Sequence, residues 1–167
     1  MALLRIVRFP DPILKKKTSH VMDFNSTLEK LTQDMLETMY DAPGVGLAAN
    51  QIGVSLAVAV IDVSDKADNP MIFVNPKILK TSGEILFAEG CLSIPGFTEK
   101  VKRASEVSVQ YQDLKGMSQE LHASGLLAVA LQHETDHLQG KLYIDRLSSL
   151  KRSLIKNKIT KTNKLEG

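Results

Sequence analysis

The segment Leu126-Leu127-Ala128-Val129-Ala130-Leu131 runs without a break into Gln132-His133-Glu134-Thr135-Asp136-His137, and Gly140 follows just beyond. Strong helix formers with a glycine past the end predict a helix, and its apolar lead is too continuous for a solvated surface. The helix is therefore a mostly buried, central element around which the rest of the chain must pack. Residues four apart share a helical face, so His133 and His137 can turn imidazole nitrogens toward one ion. Glu134 sits beside them, placed to handle a proton.

The chain around this helix has 167 residues, the size of a single domain spanning 1–167, with a basic C-terminal helix or tail over 147–167. Its residues are 43% apolar and 24% charged, ordinary for a soluble globular protein, so a substantial core is expected and disorder is not. One cysteine excludes an internal disulfide and fits a reducing compartment. The first ten residues break their apolar stretches with Arg5, Arg8 and Pro10. They read as neither signal peptide nor membrane span, so a cytoplasmic location is expected, with no membrane or DNA partner. Net charge is +2, but residues 151–167 hold six Lys/Arg against Glu166 alone, so the positive charge belongs to the tail.

Leu28, Leu31, Met35 and Met39 recur at helical spacing behind Ser26-Thr27-Leu28-Glu29, which has the form of a capping box, and predict a helix ending near Tyr40. The runs 55–63 and 71–75 are rich in branched apolar residues and read as buried strands, the second stopped by Pro76. Alternation over 106–112, turn chemistry at Asp113-Leu114-Lys115-Gly116 and a returning segment from Met117 predict a hairpin. Strands before and after one central helix argue for an α+β fold with mixed or antiparallel sheets packed around that helix, and a C-terminal helix.

Two histidines do not complete a catalytic metal site, which ordinarily has three protein ligands and one open position. The extended zinc-protease pattern would place another histidine six residues on, but Tyr143 stands there and no histidine follows His137. Asp145 lies beside Arg146, and Glu166 is in the tail. Cys91 is the better candidate, since a thiolate with two imidazoles suits iron, zinc or cobalt. From spacing alone, that reading and a small core hydrophobe are equally open.

Three segments, Gly44-Val45-Gly46-Leu47-Ala48-Ala49-Asn50-Gln51, Glu89-Gly90-Cys91-Leu92-Ser93 and Gln132-His133-Glu134-Thr135-Asp136-His137, closely resemble the three signature motifs of bacterial peptide deformylases, in the same order. The resemblance covers nearly the whole chain. It implies that Cys91, His133 and His137 bind one divalent ion, natively Fe²⁺, with Zn²⁺, Ni²⁺ or Co²⁺ as substitutes and water as fourth ligand. The reaction implied is hydrolysis of the N-formyl group from formyl-methionine at the start of new polypeptides, releasing formate. Metal-bound hydroxide would be the nucleophile and Glu134 the general base and acid. The resemblance assigns oxyanion stabilisation to the Gln51 side-chain amide and the Leu92 backbone N–H. Gln51 taken alone reads more simply as an amide tying its loop together.

Leu126 and Val129 lie seven and four residues before His133, on its face, and predict an apolar wall beside the ion. Val45 and Phe87 match other pocket positions of the family, although from sequence alone ordinary core packing is the favoured reading for all four. Gly46, Gly90 and Leu92 could pair their backbone with an extended peptide. Asp136 points away from both histidines, and in the family a carboxylate here pairs with an arginine at the position of Arg103. Relatives carry a basic residue soon after the cysteine motif, but this chain reads Gly96-Phe97-Thr98-Glu99, and no binding role passes to it. Leu150 and Leu154 at helical spacing among basic residues suggest either a solvated face or, as in relatives, a helix docking on the ribosome near the peptide exit. Two other function classes compete, a general metallopeptidase and a non-catalytic metal- or ribosome-binding relative, and the intact Glu134 weighs against the second.

Overall fold

The computed structural model of the chain describes residues 3–166, with side chains as far as 163; Met1, Ala2, Gly167 and the side chains of Lys164, Leu165 and Glu166 lie outside the described residues. After a short 3-10 turn at Pro12–Lys15 comes helix α1 (Ser26–Asp41). Strand β1 (Gly46–Ala48) leads through a 3-10 turn at Ala49–Ile52 to β2 (Val58–Ile61) and β3 (Met71–Ser82). The strands β4 (Ile85–Cys91), β5 (Ile94–Arg103), β6 (Glu106–Gln112) and β7 (Ser118–Ser124) follow. Helix α2 (Gly125–Leu138), a 3-10 turn at Tyr143–Arg146 and helix α3 (Ser149–Glu166) complete the chain. The fold is α+β: β1-β2-β3-β6-β7 form one antiparallel sheet, and β4-β5 a separate two-stranded hairpin.

The apolar run of β2 explains how the sheet sits. Val58 and Val60 face α1, meeting Leu28, Met35 and Met39. Ile61 faces α2 beside Ala128 and Leu131, and Ala59 meets Leu138. All four residues of the strand are buried, as a strand covered on both faces requires. The helix that carries the histidines is thereby packed on a rigid sheet.

Four details depart from expectation. All seven strands precede α2, with none after it among the described residues. The cap of α1 is Asn25, whose Oδ1 accepts from the Leu28 N–H at 3.1 Å, so Ser26 is already the first helical residue. Pro76 does not stop β3. The β3/β6 register shifts between Val74 and Lys77, and Asn75 takes a left-handed conformation there, so the missing N–H of proline falls at a bulge. The Asn75 side chain fills the gap by bonding Val21 and Gln112. The hairpin β4-β5 was unanticipated, because the apolar stretch Ile85-Leu86-Phe87-Ala88 is cut short by Glu89 and Gly90, and β5 carries Glu99, Lys100, Lys102 and Arg103.

In α3 the packing face also differs. Leu150 and Leu154 are exposed, whereas Ile155 and Ile159 are buried against Phe9, Ile94, Val101 and Tyr143. The helix belongs to the domain through that pair. Ile155→Ala should therefore cost about 2–5 kcal/mol in urea unfolding, and Leu150→Ala no more than about 0.5 kcal/mol. Equal losses for the two would contradict this packing.

Candidate active site

Helix α2 brings His133 and His137 onto one face, and their Nε2 atoms lie 3.1 Å apart. Strand β4 alternates so that Phe87, Glu89 and Cys91 turn inward while Leu86, Ala88 and Gly90 are exposed. The Cys91 Sγ arrives 3.3 Å from His137 Nε2, and the three donor atoms all lie within 4.8 Å of one another. Tetrahedral ligands about 2.0–2.3 Å from one ion stand about 3.3–3.6 Å apart, so one thiolate and two imidazoles here fit a single divalent cation.

What surrounds these groups aims them. His133 Nδ1–H donates to Glu89 Oε1 at 2.9 Å, which leaves its Nε2 lone pair facing the other donors. Glu89 in turn accepts two bonds from Arg103, at 2.8 and 2.9 Å. Arg103 Nη1 reaches Asp136 at 2.7 Å, and Asp136 accepts two further bonds from Arg146, at 2.7 and 3.0 Å. Arg103 and Asp136 thus meet, on the side of α2 away from the cysteine cleft, in a smaller cavity of about 370 Å³. Neither Glu89 nor Arg146 was singled out from sequence. Glu89 was accessible there, since it stands two residues before Cys91 on a strand and shares its face. Asp145 caps the turn at Leu142 and approaches Lys15, and Tyr143 stacks near the His133 ring.

The first motif lies opposite. Gly46 is obligatory because a Cβ there would collide with the carboxylate of Glu134. Gly44 similarly gives room to Leu92, whose Cδ1 would stand 2.9 Å from an added Cβ. Gln51 is buried, with Oε1 accepting the Ala48 N–H at 2.9 Å and Nε2 3.6 Å from Cys91 Sγ. Asn50, also buried, donates to the His137 carbonyl at 2.6 Å and so ties this turn to α2.

A cleft of about 1270 Å³ joins these parts. Gln51, Cys91, Leu92, His133 and Glu134 line it together with Val45, Gly46, Phe87, Gly90, Leu126 and Val129. Val129 is buried, whereas Val45 is 47% and Leu126 38% exposed, so the apolar part opens to solvent at its mouth. His137 lies behind His133, wholly buried.

Burial dominates the protonation of this site. It pushes the Glu134 carboxyl up to about 7, with the charges of Glu89 and Asp136 adding to burial and His133 and Arg103 opposing it. Glu134 Oε1 is buried with no hydrogen-bond partner among the described residues. Burial disfavours charge on both imidazoles; for His133 it is outweighed by Cys91, Glu134 and Glu89, which hold the ring well above its usual range. His137 is driven well below, by burial and then by His133 and Arg103. Because the Glu134 value is raised, the folded metal-free protein holds that proton more tightly than the unfolded chain. Its contribution to stability is thus complete below about 4.5 and lost as pH rises through about 7. Metal-free Glu134→Gln should gain stability over its parent between pH 5 and 8, by up to about 3 kcal/mol. Thermal unfolding of the two proteins across that range checks this, and a pH-independent difference would contradict it.

Residues 3–153 match the polypeptide deformylase family. A protein named peptide deformylase 2 from Xanthomonas axonopodis pv. citri is 50% identical over 167 residues, covering 98% of each chain. The peptide deformylase of Nitrosococcus oceani is 47% identical over the full length of both. The crystal structure of a peptide deformylase from Legionella pneumophila superposes with a TM-score of 0.92 at 46% identity, covering 99% of this chain and 98% of that one. With a fold, a cleft and a donor set that agree, this chain belongs to the polypeptide deformylase family, metal-dependent hydrolases that remove the N-formyl group from newly made polypeptides.

Proposed function

We propose that Cys91, His133 and His137 hold one Fe²⁺, that Glu134 moves the protons of the reaction, and that Gln51 and Leu92 N–H receive the developing oxyanion. The same three donors accommodate Zn²⁺, Ni²⁺ or Co²⁺. The observation that carries this reading is the buried, partnerless Oε1 of Glu134 in the cleft that Cys91 and His133 line.

A divalent cation at these donors lowers the pKa of water from near 16 to roughly 7 and polarises a carbonyl. Glu134 takes a proton from the attacking water and returns it to the amide nitrogen as formate leaves. Its carboxylate lies in the space that a side chain at Gly46 would take. Gln51 is preorganised by Ala48 before substrate arrives. Val129, Leu126, Val45 and Phe87 supply an apolar slot suited to an unbranched thioether side chain, and Gly46, Gly90 and Leu92 offer backbone to the extended peptide. Glu89 orients His133, and Arg103 with Asp136 holds Glu89 in place.

Formate release from formyl-Met-Ala-Ser under anaerobic conditions, with metal analysis of the same sample, tests this assignment. The expected result is stoichiometric iron with turnover, an unformylated peptide left intact, and a fall of about 10²–10⁴ in kcat for Glu134→Gln. Turnover that survives Glu134→Gln would refute the role of the carboxylate.

The action on nascent chains places the protein in the cytoplasm in this reading, and among the described residues no helix is long and apolar enough to cross a membrane. Helix α3 presents Lys151, Lys158 and Lys161 on its exposed side, suited to ribosomal RNA near the peptide exit. Because Ile155 and Ile159 are buried, deleting the helix would damage the domain. Lys158→Glu with Lys161→Glu is the cleaner test: ribosome affinity and its salt dependence should fall while hydrolysis of the short peptide persists, and unchanged affinity would refute docking through α3.

A further inference from the structure

Ser93 lies between β4 and β5 and is fully buried, and its Oγ accepts from Gln51 Nε2 at 3.1 Å. The other end of that amide is held by the Ala48 N–H, at 2.9 Å from Oε1. The backbones are tied as well. One extended N-terminal segment donates from Val7 N–H to the Gln51 carbonyl at 2.6 Å and from Phe9 N–H to the Ser93 carbonyl at 2.8 Å.

A glutamine amide otherwise turns on a broad, two-fold torsion. A half-turn here would set the NH₂ group against the Ala48 N–H, donor against donor. It would also carry Nε2 away from both of its acceptors, Ser93 Oγ and Cys91 Sγ. The NH₂ group meets Ser93 Oγ on one side and Cys91 Sγ on the other, and both Gln51 and Cys91 line the cleft.

We propose that Ser93 is a positioning residue: its hydroxyl holds the Gln51 amide with its NH₂ group beside Cys91 on the wall of the cleft, where an N–H can turn to the oxygen on which charge develops. This rests on the oxyanion role given to Gln51 above. Ser93 touches no substrate in this account and acts only through Gln51. Its removal should therefore change turnover more than substrate affinity, and should change nothing once Gln51 is absent.

The test is kcat and KM on formyl-Met-Ala-Ser for the iron-loaded parent, Ser93→Ala, Ser93→Thr, Gln51→Ala and the Ser93→Ala/Gln51→Ala double variant. Ser93→Ala should lose about tenfold to a hundredfold in kcat, with KM within about twofold. Ser93→Thr, which keeps the hydroxyl, should recover most of that loss, and Ser93→Ala should cost less than about twofold in the Gln51→Ala background. Equal loss in both backgrounds, or a Ser93→Ala kcat at the parent level while Gln51→Ala is impaired, overturns the positioning role alone. Parent-level turnover of Gln51→Ala overturns the oxyanion reading and this inference with it. A readout independent of turnover is the Gln51 side-chain NH₂ of the ¹⁵N-labelled, zinc-loaded parent. Slow exchange with a cross-peak to the Ser93 β-protons supports the lock, and a freely exchanging, averaged pair overturns it even should Ser93→Ala fail to fold.

Discussion

The guanidinium of Arg103 is the point at which two separate parts of the fold are joined. The hairpin β4-β5 is not part of the five-stranded sheet, yet it must deliver Cys91 to histidines on α2. Arg103, only 2% exposed, grips Glu89 on the hairpin with two nitrogens and Asp136 on the helix with a third. Buried ions are costly when unpaired and often no better than apolar packing when paired. Their use here follows from geometry rather than stability: a planar, forked cation fixes the distance and angle between two carboxylates as apolar contacts do not. Glu89 then passes that alignment directly to His133.

The same architecture sets the chemistry of Glu134. Packing α2 on the apolar β2 buries the carboxylate, and the glycine at 46 lets the neighbouring strand close against it. An exposed glutamate would titrate near 4.5 and hold a proton poorly at neutral pH. In the metal-free protein, burial raises this group to about 7. The fold gives up stability at this position to obtain a useful acid–base group.

Much of this was legible in the sequence. The apolar run before His133 and its four-residue spacing to His137 specify a buried helix with two convergent imidazoles, because helical period and burial are local properties. The run 58–61 and the hairpin over 106–124 were readable for the same reason. The position of Cys91 relative to those rings was not, since it depends on a hairpin whose attachment is made by side chains far apart in the chain. Pro76 misled because a bulge at Asn75 absorbs its missing donor, a feature of strand pairing rather than of the residue. Leu150 and Leu154 share the spacing of Ile155 and Ile159, and only the surface under α3 decides which pair is buried. Ser93, Glu89 and Arg146 escaped notice because their importance lies in the polar atoms they meet.

The central claim is that a sulfur from the hairpin and two nitrogens from α2 share one cation. X-ray absorption at the metal edge of the zinc-loaded protein measures this directly. One sulfur at about 2.3 Å and two imidazole nitrogens at about 2.0–2.1 Å are expected. A shell of nitrogen and oxygen alone would separate Cys91 from the ion and contradict the account.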